Sequence, residues 1–201
     1  MRTVHTPTCA SSPAGIVRGV TNSQPHPVLL VMGVSGSGKT TVGAMLAGKL
    51  NWAYAEADDF HPPANVAKMR AGMPLSDEDR RPWLQSIGAW IDVRAAAGEP
   101  AVVTCSALKR GYRDVLREGR PQVRLIYLAA DKELIARRLA ARHGHFFPAS
   151  LLESQFRDLE PPQPDEHPLT VDADAAPAKI ATTIVARLGI TPTARALGRS
   201  S

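Results

Sequence analysis

The densest chemistry in the chain lies in Gly33-Val34-Ser35-Gly36-Ser37-Gly38-Lys39-Thr40, with Thr41 directly after it. The three glycines let the backbone curl tightly and turn its N–H groups inward. The spacing fits G-x-x-x-x-G-K-[ST], a phosphate-binding loop. The inward amides would cradle phosphate oxygens and Lys39 would reach the outer phosphates. The Thr40 hydroxyl would bind Mg²⁺. ATP with Mg²⁺ is the expected ligand pair for residues 33–41.

Carboxylates come next. Residues 52–59 read as a short strand ending in Glu56, Asp58 and Asp59. Acids at the carboxyl end of a strand sit on the edge where α/β sheets bind ligands. If the strand runs through Asp58, Glu56 and Asp58 share one face and Asp59 points the other way. In a phosphotransferase one acid would hold Mg²⁺ through water, and the other would accept the proton of the acceptor hydroxyl. No Asp directly follows the apolar run 101–105, where a metal's acidic partner is often found. That puts the duty on Glu56 or Asp58.

Arg138 and Arg142 are four residues apart and so share a helix face. Two guanidiniums projecting together can clamp a transferring phosphoryl group. Gly144-His145-Phe146-Phe147-Pro148 after them reads as a loop able to carry a lid, with His145 as a ligand contact.

These residues need a frame. The unbroken apolar run 28–32 predicts a strand buried on both faces, as in a parallel sheet. Val42, Met45, Leu46 and Leu50 recur at helical spacing after the loop. Further strands are expected over 101–105, 123–128 and 169–171. Helices are expected over 64–70, 112–118, 131–143, 149–158 and 177–188. Ser76 with the acids at 77–79 reads as a cap on another helix, with Pro82 early in it and Trp83, Ile87, Trp90 and Ile91 as its buried stripe. The alternation predicts a three-layer α/β domain with a parallel sheet. Residues 1–27 read as a disordered leader, 28–188 as the domain with a lid at about 138–150, and 189–201 as a frayed tail.

Composition narrows the class. The chain has 201 residues, 44% hydrophobic and 21% charged, which suits one globular domain. The net charge of +5 fits an anionic ligand. It also fits nucleic acid, but no basic run or aromatic-interleaved patch supports that partner, and none is expected. Cys9 and Cys105 have no metal-binding spacing. No apolar stretch reaches the length of a membrane span, so a cytoplasmic protein without a membrane partner is expected.

Several segments together resemble the gluconokinases of the P-loop type. They are the phosphate loop, Asp58-Asp59-Phe60-His61-Pro62, Asn65, Lys68-Met69, Pro74-Leu75-Ser76-Asp77 and Asp79-Arg80. Pro82-Trp83-Leu84, Cys105-Ser106-Ala107-Leu108-Lys109, Tyr112-Arg113-Asp114, Gly144-His145-Phe146-Phe147 and Ser154-Gln155-Phe156 continue the likeness in family order. The resemblance implies a P-loop kinase fold with a five-stranded parallel sheet and a small lid. It implies transfer of phosphate from ATP to the terminal hydroxyl of D-gluconate, giving 6-phosphogluconate for gluconate degradation or the pentose phosphate route. It further implies a homodimer. By position, Asp58 becomes the base or hydroxyl ligand and Glu56 the metal-shell acid. His61, Lys68, Arg80, Lys109, Arg113 and His145 fall on the substrate side, and Arg138 and Arg142 in the lid. The chain departs from the family pattern in its leader, at Ala57 and at Arg110. Kinases of other small acceptors, such as shikimate or a nucleoside monophosphate, are the rival reading. A nucleotide-binding switch is another, but the chain lacks the Asn-Lys-x-Asp that reads a guanine base.

Overall fold

β1 (Val28–Met32) lies at the centre of the sheet, and its five side chains are all buried. Alternate residues face opposite ways, as the two-residue period requires. Val28, Leu30 and Met32 enter one core cluster with Trp83, Ile87 and Ile91. Leu29 and Val31 enter another with Val42, Leu46 and Ile184. Each such side chain contributes about 1.5–3 kcal/mol on burial. An apolar residue at every position is what a strand covered on both faces needs.

A computed structural model describes residues 26–141 and 149–191. The other strands are β2 (Ala53–Glu56), β3 (Ala101–Thr104), β4 (Val123–Ala129) and β5 (Leu169–Asp172). All pairings are parallel, in the order β2-β3-β1-β4-β5. The helices are α1 (Lys39–Leu50), α2 (Pro63–Arg70), α3 (Asp77–Ala96), α4 (Arg110–Arg117), α5 (Lys132–Ala140), α6 (Ala149–Asp158) and α7 (Pro177–Leu188). α1 and α7 pack together on one face, and α3 and α4 on the other. The expected three-layer fold with five parallel strands is therefore present. Residues 1–25 of the expected leader, the segment 142–148 and residues 192–201 of the expected tail lie outside the described residues.

Two local features position the phosphate loop. Gly38 caps α1 with φ 94°, a conformation that L side chains rarely adopt. Gly43 brings α1 onto the sheet, since a Cβ there would lie 2.4 Å from Thr104 Cγ2. On the opposite face, Ser76 caps α3 through a capping box, with Asp79 N–H donating to its hydroxyl at 3.2 Å. Pro82 lies inside α3, past its first turn. Pro82 and Glu78 are both exposed, so water can serve the carbonyl its missing N–H leaves open.

Candidate active site

β1, β2 and β3 end on the same edge of the sheet, and the segments leaving their carboxyl ends line one cleft of about 230 Å³. β1 delivers Ser35, Gly36, Gly38, Lys39, Thr40 and Thr41. β2 delivers Glu56 and Asp58, and β3 delivers Cys105 and Ser106. Loops at the carboxyl edge of parallel strands form a binding crevice because the crossover helices open there.

Lys39 Nζ donates to Val34 O at 2.9 Å, closing the loop on itself. Burial draws its ammonium below the usual lysine range, while Cys105, Asp58 and Glu56 oppose that shift. A poorly hydrated cation among carboxylates gains from an arriving anion. Val34 itself is buried in the core beside Leu108, Ile135 and Leu152, so only its backbone faces the cradle. Burial also pushes the Cys105 thiol up to about 12, which leaves it protonated and unreactive.

Glu56 is gripped from two sides. Thr40 Oγ1 donates to its Oε2 at 3.2 Å and the Tyr54 hydroxyl to its Oε1 at 2.8 Å. Burial holds the Tyr54 phenol up to about 12, so it remains a donor. Thr40 and Glu56 are hard oxygen donors side by side at the mouth of the phosphate loop. That set fits Mg²⁺, which takes one or two protein oxygens and completes its shell with phosphates and water. No group of three or more His, Cys, Asp or Glu able to hold a metal occurs among the described residues.

Asp58 does not extend β2, contrary to the strand expected through it. β2 stops at Glu56, and Ala57–Phe60 form a 3₁₀ turn. The ladder partner β3 ends opposite Glu56 at Thr104, and Trp83 Nε1, from α3, holds the turn by donating to Ala57 O at 2.6 Å. Glu56 and Asp58 still line the same cleft, now through the turn rather than through strand alternation. Trp83 is thus more than core. Its ring also stacks on His61, centroids 4.5 Å apart at 8°. Burial lowers the His61 pKa, with Arg80 adding to the shift and Asp58 opposing it, so the ring is neutral at neutral pH.

The expected acceptor-side cations hang on the first turn of α3. Lys68 Nζ lies 2.7 Å from Asp79 Oδ1, and Lys109 Nζ 3.0 Å from Asp77 Oδ1. Arg80 donates to the Tyr112 hydroxyl at 3.3 Å and lies 3.6 Å from Asp77. Tyr112 also donates a short hydrogen bond to Asp77. Tyr112 and Lys109 together hold the Asp77 carboxyl below its usual range.

Arg113 is placed differently from expectation. It is fully buried, with no solvent-exposed surface. Its Nε and Nη2 donate to Glu166 at 2.5 and 2.9 Å, and its Nη1 to Ala107 O and Leu108 O at 3.1 and 3.0 Å. Burial pushes the Glu166 carboxyl up, but Arg113 and the Gln163 N–H outweigh it and hold the pKa below its usual value. The guanidinium thereby pins Ala107, a non-glycine residue at φ 42°, in the turn that leads to Lys109. Nothing in the Tyr-Arg-Asp motif could disclose this, because the partner carboxylate lies 53 residues further on.

Arg138 also binds the body of the protein. Its Nη2 donates to Ala173 O at 2.6 Å and its Nη1 to Ser37 O at 3.5 Å. It lines a second cavity of about 300 Å³ behind the phosphate loop, with Gly36, Leu139, Ala173, Pro177 and Ile180. Sequence reasoning missed this cavity, whose floor lies just past β5. It also missed Gln155, from α6, which reaches the first cleft. Arg142 and His145 lie outside the described residues.

Comparison with known proteins agrees with this geometry. A family model described as an AAA domain matches residues 28–162. A gluconokinase of Gluconobacter oxydans is 48% identical over 149 residues, covering 74% of this chain and 84% of that one. The thermoresistant gluconokinase of Escherichia coli is 43% identical, covering 77% and 89%. The crystal structure of a gluconokinase from Sinorhizobium meliloti superposes with a TM-score of 0.72 at 44% identity, covering 82% of this chain and 93% of that one. With the phosphate loop, the acid pair and the matching fold in place, the chain belongs to the gluconokinase family.

Proposed function

We propose that this chain transfers the terminal phosphoryl group of ATP to the terminal hydroxyl of D-gluconate, giving 6-phospho-D-gluconate. One observation carries the reading. The cradle with Lys39 and the acid Asp58 line a single cleft, close enough that Asp58 perturbs the Lys39 ammonium. Phosphoryl transfer needs that pairing of anion grip and hydroxyl acceptor more than it needs covalent chemistry.

In this mechanism the loop amides and Lys39 hold the β- and γ-phosphates. Asp58 accepts a hydrogen bond from the gluconate hydroxyl, orients it for in-line attack and takes its proton as the new P–O bond forms. The bond from the γ-phosphorus to the bridging oxygen breaks, and ADP leaves with that oxygen. Mg²⁺, held by Thr40 and through Glu56, would supply charge neutralisation on the phosphates. Lys68, Arg80 and Lys109 are the cations offered to the sugar-acid carboxylate, and neutral His61 offers a hydrogen bond to its hydroxyls. The second cavity, with Arg138 at its wall, takes the nucleoside. Arg113 acts indirectly, by fixing the turn that carries Lys109.

A homodimer, a cytoplasmic location and a lid at about residues 138–150 of the 28–188 domain belong to the same proposal. Family resemblance supports them, and sedimentation velocity tests the first. No helix among the described residues is long and apolar enough to cross a membrane. The activity is tested by a coupled assay with Mg-ATP and a panel of acceptors. Turnover with gluconate, and not with shikimate or nucleoside monophosphates, is expected. Turnover with one of those acceptors instead would remove gluconate as the substrate.

A further inference from the structure

Ser35 contributes one of the inward amides of the phosphate cradle, and that amide is engaged by a side chain. Ser35 N–H donates to Gln155 Oε1 at 2.6 Å, across 120 residues of sequence. Of the two ends of the Gln155 amide only the carbonyl oxygen accepts, so its partner fixes the orientation of that amide. Gln155 lines the same cleft as Lys39, Asp58 and Ser106. Its helix is anchored there: Leu152 and Phe156 pack in the cluster that also holds Val34, Leu108 and Ile135. A partly buried loop amide and a side chain on a helix packed against the core make a built contact.

We propose that Gln155 is a specificity-determining residue that reads the terminal phosphate of the nucleotide and so favours ATP over ADP. The inference rests on the cleft being the nucleotide site. A phosphate oxygen is an anionic acceptor, and hydrogen bonds to it are roughly twice as strong as those to a neutral carbonyl. The terminal phosphate therefore displaces Gln155 from Ser35 N–H. The freed side chain carries an NH₂ at its other end and donates it to the same anion. With ATP, both Ser35 N–H and the Gln155 amide hold the phosphate. With ADP, Gln155 stays on Ser35 N–H and keeps that partly buried amide paired. Few side chains serve both states. A carboxylate can only accept, and alanine can do neither.

Isothermal titration of Mg-ATP and Mg-ADP without gluconate, on wild type, Gln155→Glu and Gln155→Ala, tests this. Gln155→Glu is expected to weaken ATP about 10-fold or more, since its carboxylate competes for Ser35 N–H and repels the phosphate. ADP should change less than about 2-fold, because the contact is made only to the terminal group. Gln155→Ala should weaken ATP by about 3- to 5-fold through loss of one donor, again sparing ADP. The ADP titration also reports whether each variant is folded. An unchanged ATP-to-ADP preference in both variants would overturn the proposal. A wild type that binds neither nucleotide would overturn it together with the nucleotide reading of the cleft. A shifted preference in a chain inactive on gluconate would uphold it and sink the gluconate reading alone.

Discussion

The phosphate cleft and the proposed acceptor side are built in opposite ways. The phosphate side is one continuous stretch, residues 33–41, and its working groups are mostly backbone amides. The proposed acceptor side is assembled from side chains on separate elements, and none of these side chains lines the phosphate cleft. Lys68 comes from α2, Arg80 from α3 and Lys109 from the turn before α4, and each is tethered to an acid in the first turn of α3. A backbone cradle depends on chain conformation and tolerates few changes in its glycines. A side-chain assembly depends on remote partners that hold it, which here are Trp83, Glu166 and the capped start of α3.

The largest expected effect falls on a partner rather than on a contact. Arg113→Leu leaves the buried Glu166 with only the Gln163 N–H at 2.9 Å and Arg117 at 4.0 Å, which costs about 3 kcal/mol of stability. Urea unfolding reads that loss, and the gluconate KM of the folded fraction should rise by no more than in a Lys109→Ala variant, since Arg113 acts only through the turn that carries Lys109. If stability holds and gluconate affinity collapses, Arg113 faces the substrate after all and the contrast is misdrawn. Next comes the cradle. Lys39→Ala should lower kcat about 100-fold or more, equivalent to about 2.7 kcal/mol of barrier, with little change in stability.

On the acceptor side, Lys109→Ala should raise the gluconate KM about 10-fold and leave the KM for ATP unchanged, as loss of one ion pair to substrate would. Equal changes in both constants would show that the two sides are not separable. The smallest effect belongs to the α3 cap. Lys68 first, then Ser76, pulls the Asp79 carboxyl down to about 2. A depressed carboxylate pKa means stability present above the usual value and lost as pH falls. The melting-temperature advantage of wild type over Asp79→Asn should therefore be full at neutral pH, shrink below 3.8 and disappear below about 2. An advantage that persists in stronger acid would detach it from the Asp79 charge.

The same contrast explains what the sequence could disclose. β1, the phosphate loop and α1 form one uninterrupted signal: an apolar run, spaced glycines and a helical stripe. Their local chemistry and their tertiary role agree, so they were legible throughout. The acid pair was legible by type but not by conformation. The turn after β2 is held by an indole 26 residues away, and strand alternation carries no trace of it. Arg113 looked like a ligand because a lone arginine in a motif does not disclose a carboxylate buried with it. The cavity behind the loop lies past the end of β5, where Ala173 contributes a carbonyl rather than a recognisable side chain.

The account depends on Asp58 acting on the acceptor hydroxyl while the cradle binds nucleotide independently. Asp58→Asn keeps the shape and removes the charge, so its single-turnover transfer from Mg-ATP to gluconate, with ATP affinity measured alongside, is the most direct test. The expected result is a rate about 100-fold lower with ATP affinity within about 2-fold of wild type. Near-normal transfer, or a loss fully accounted for by weaker ATP binding, would contradict it.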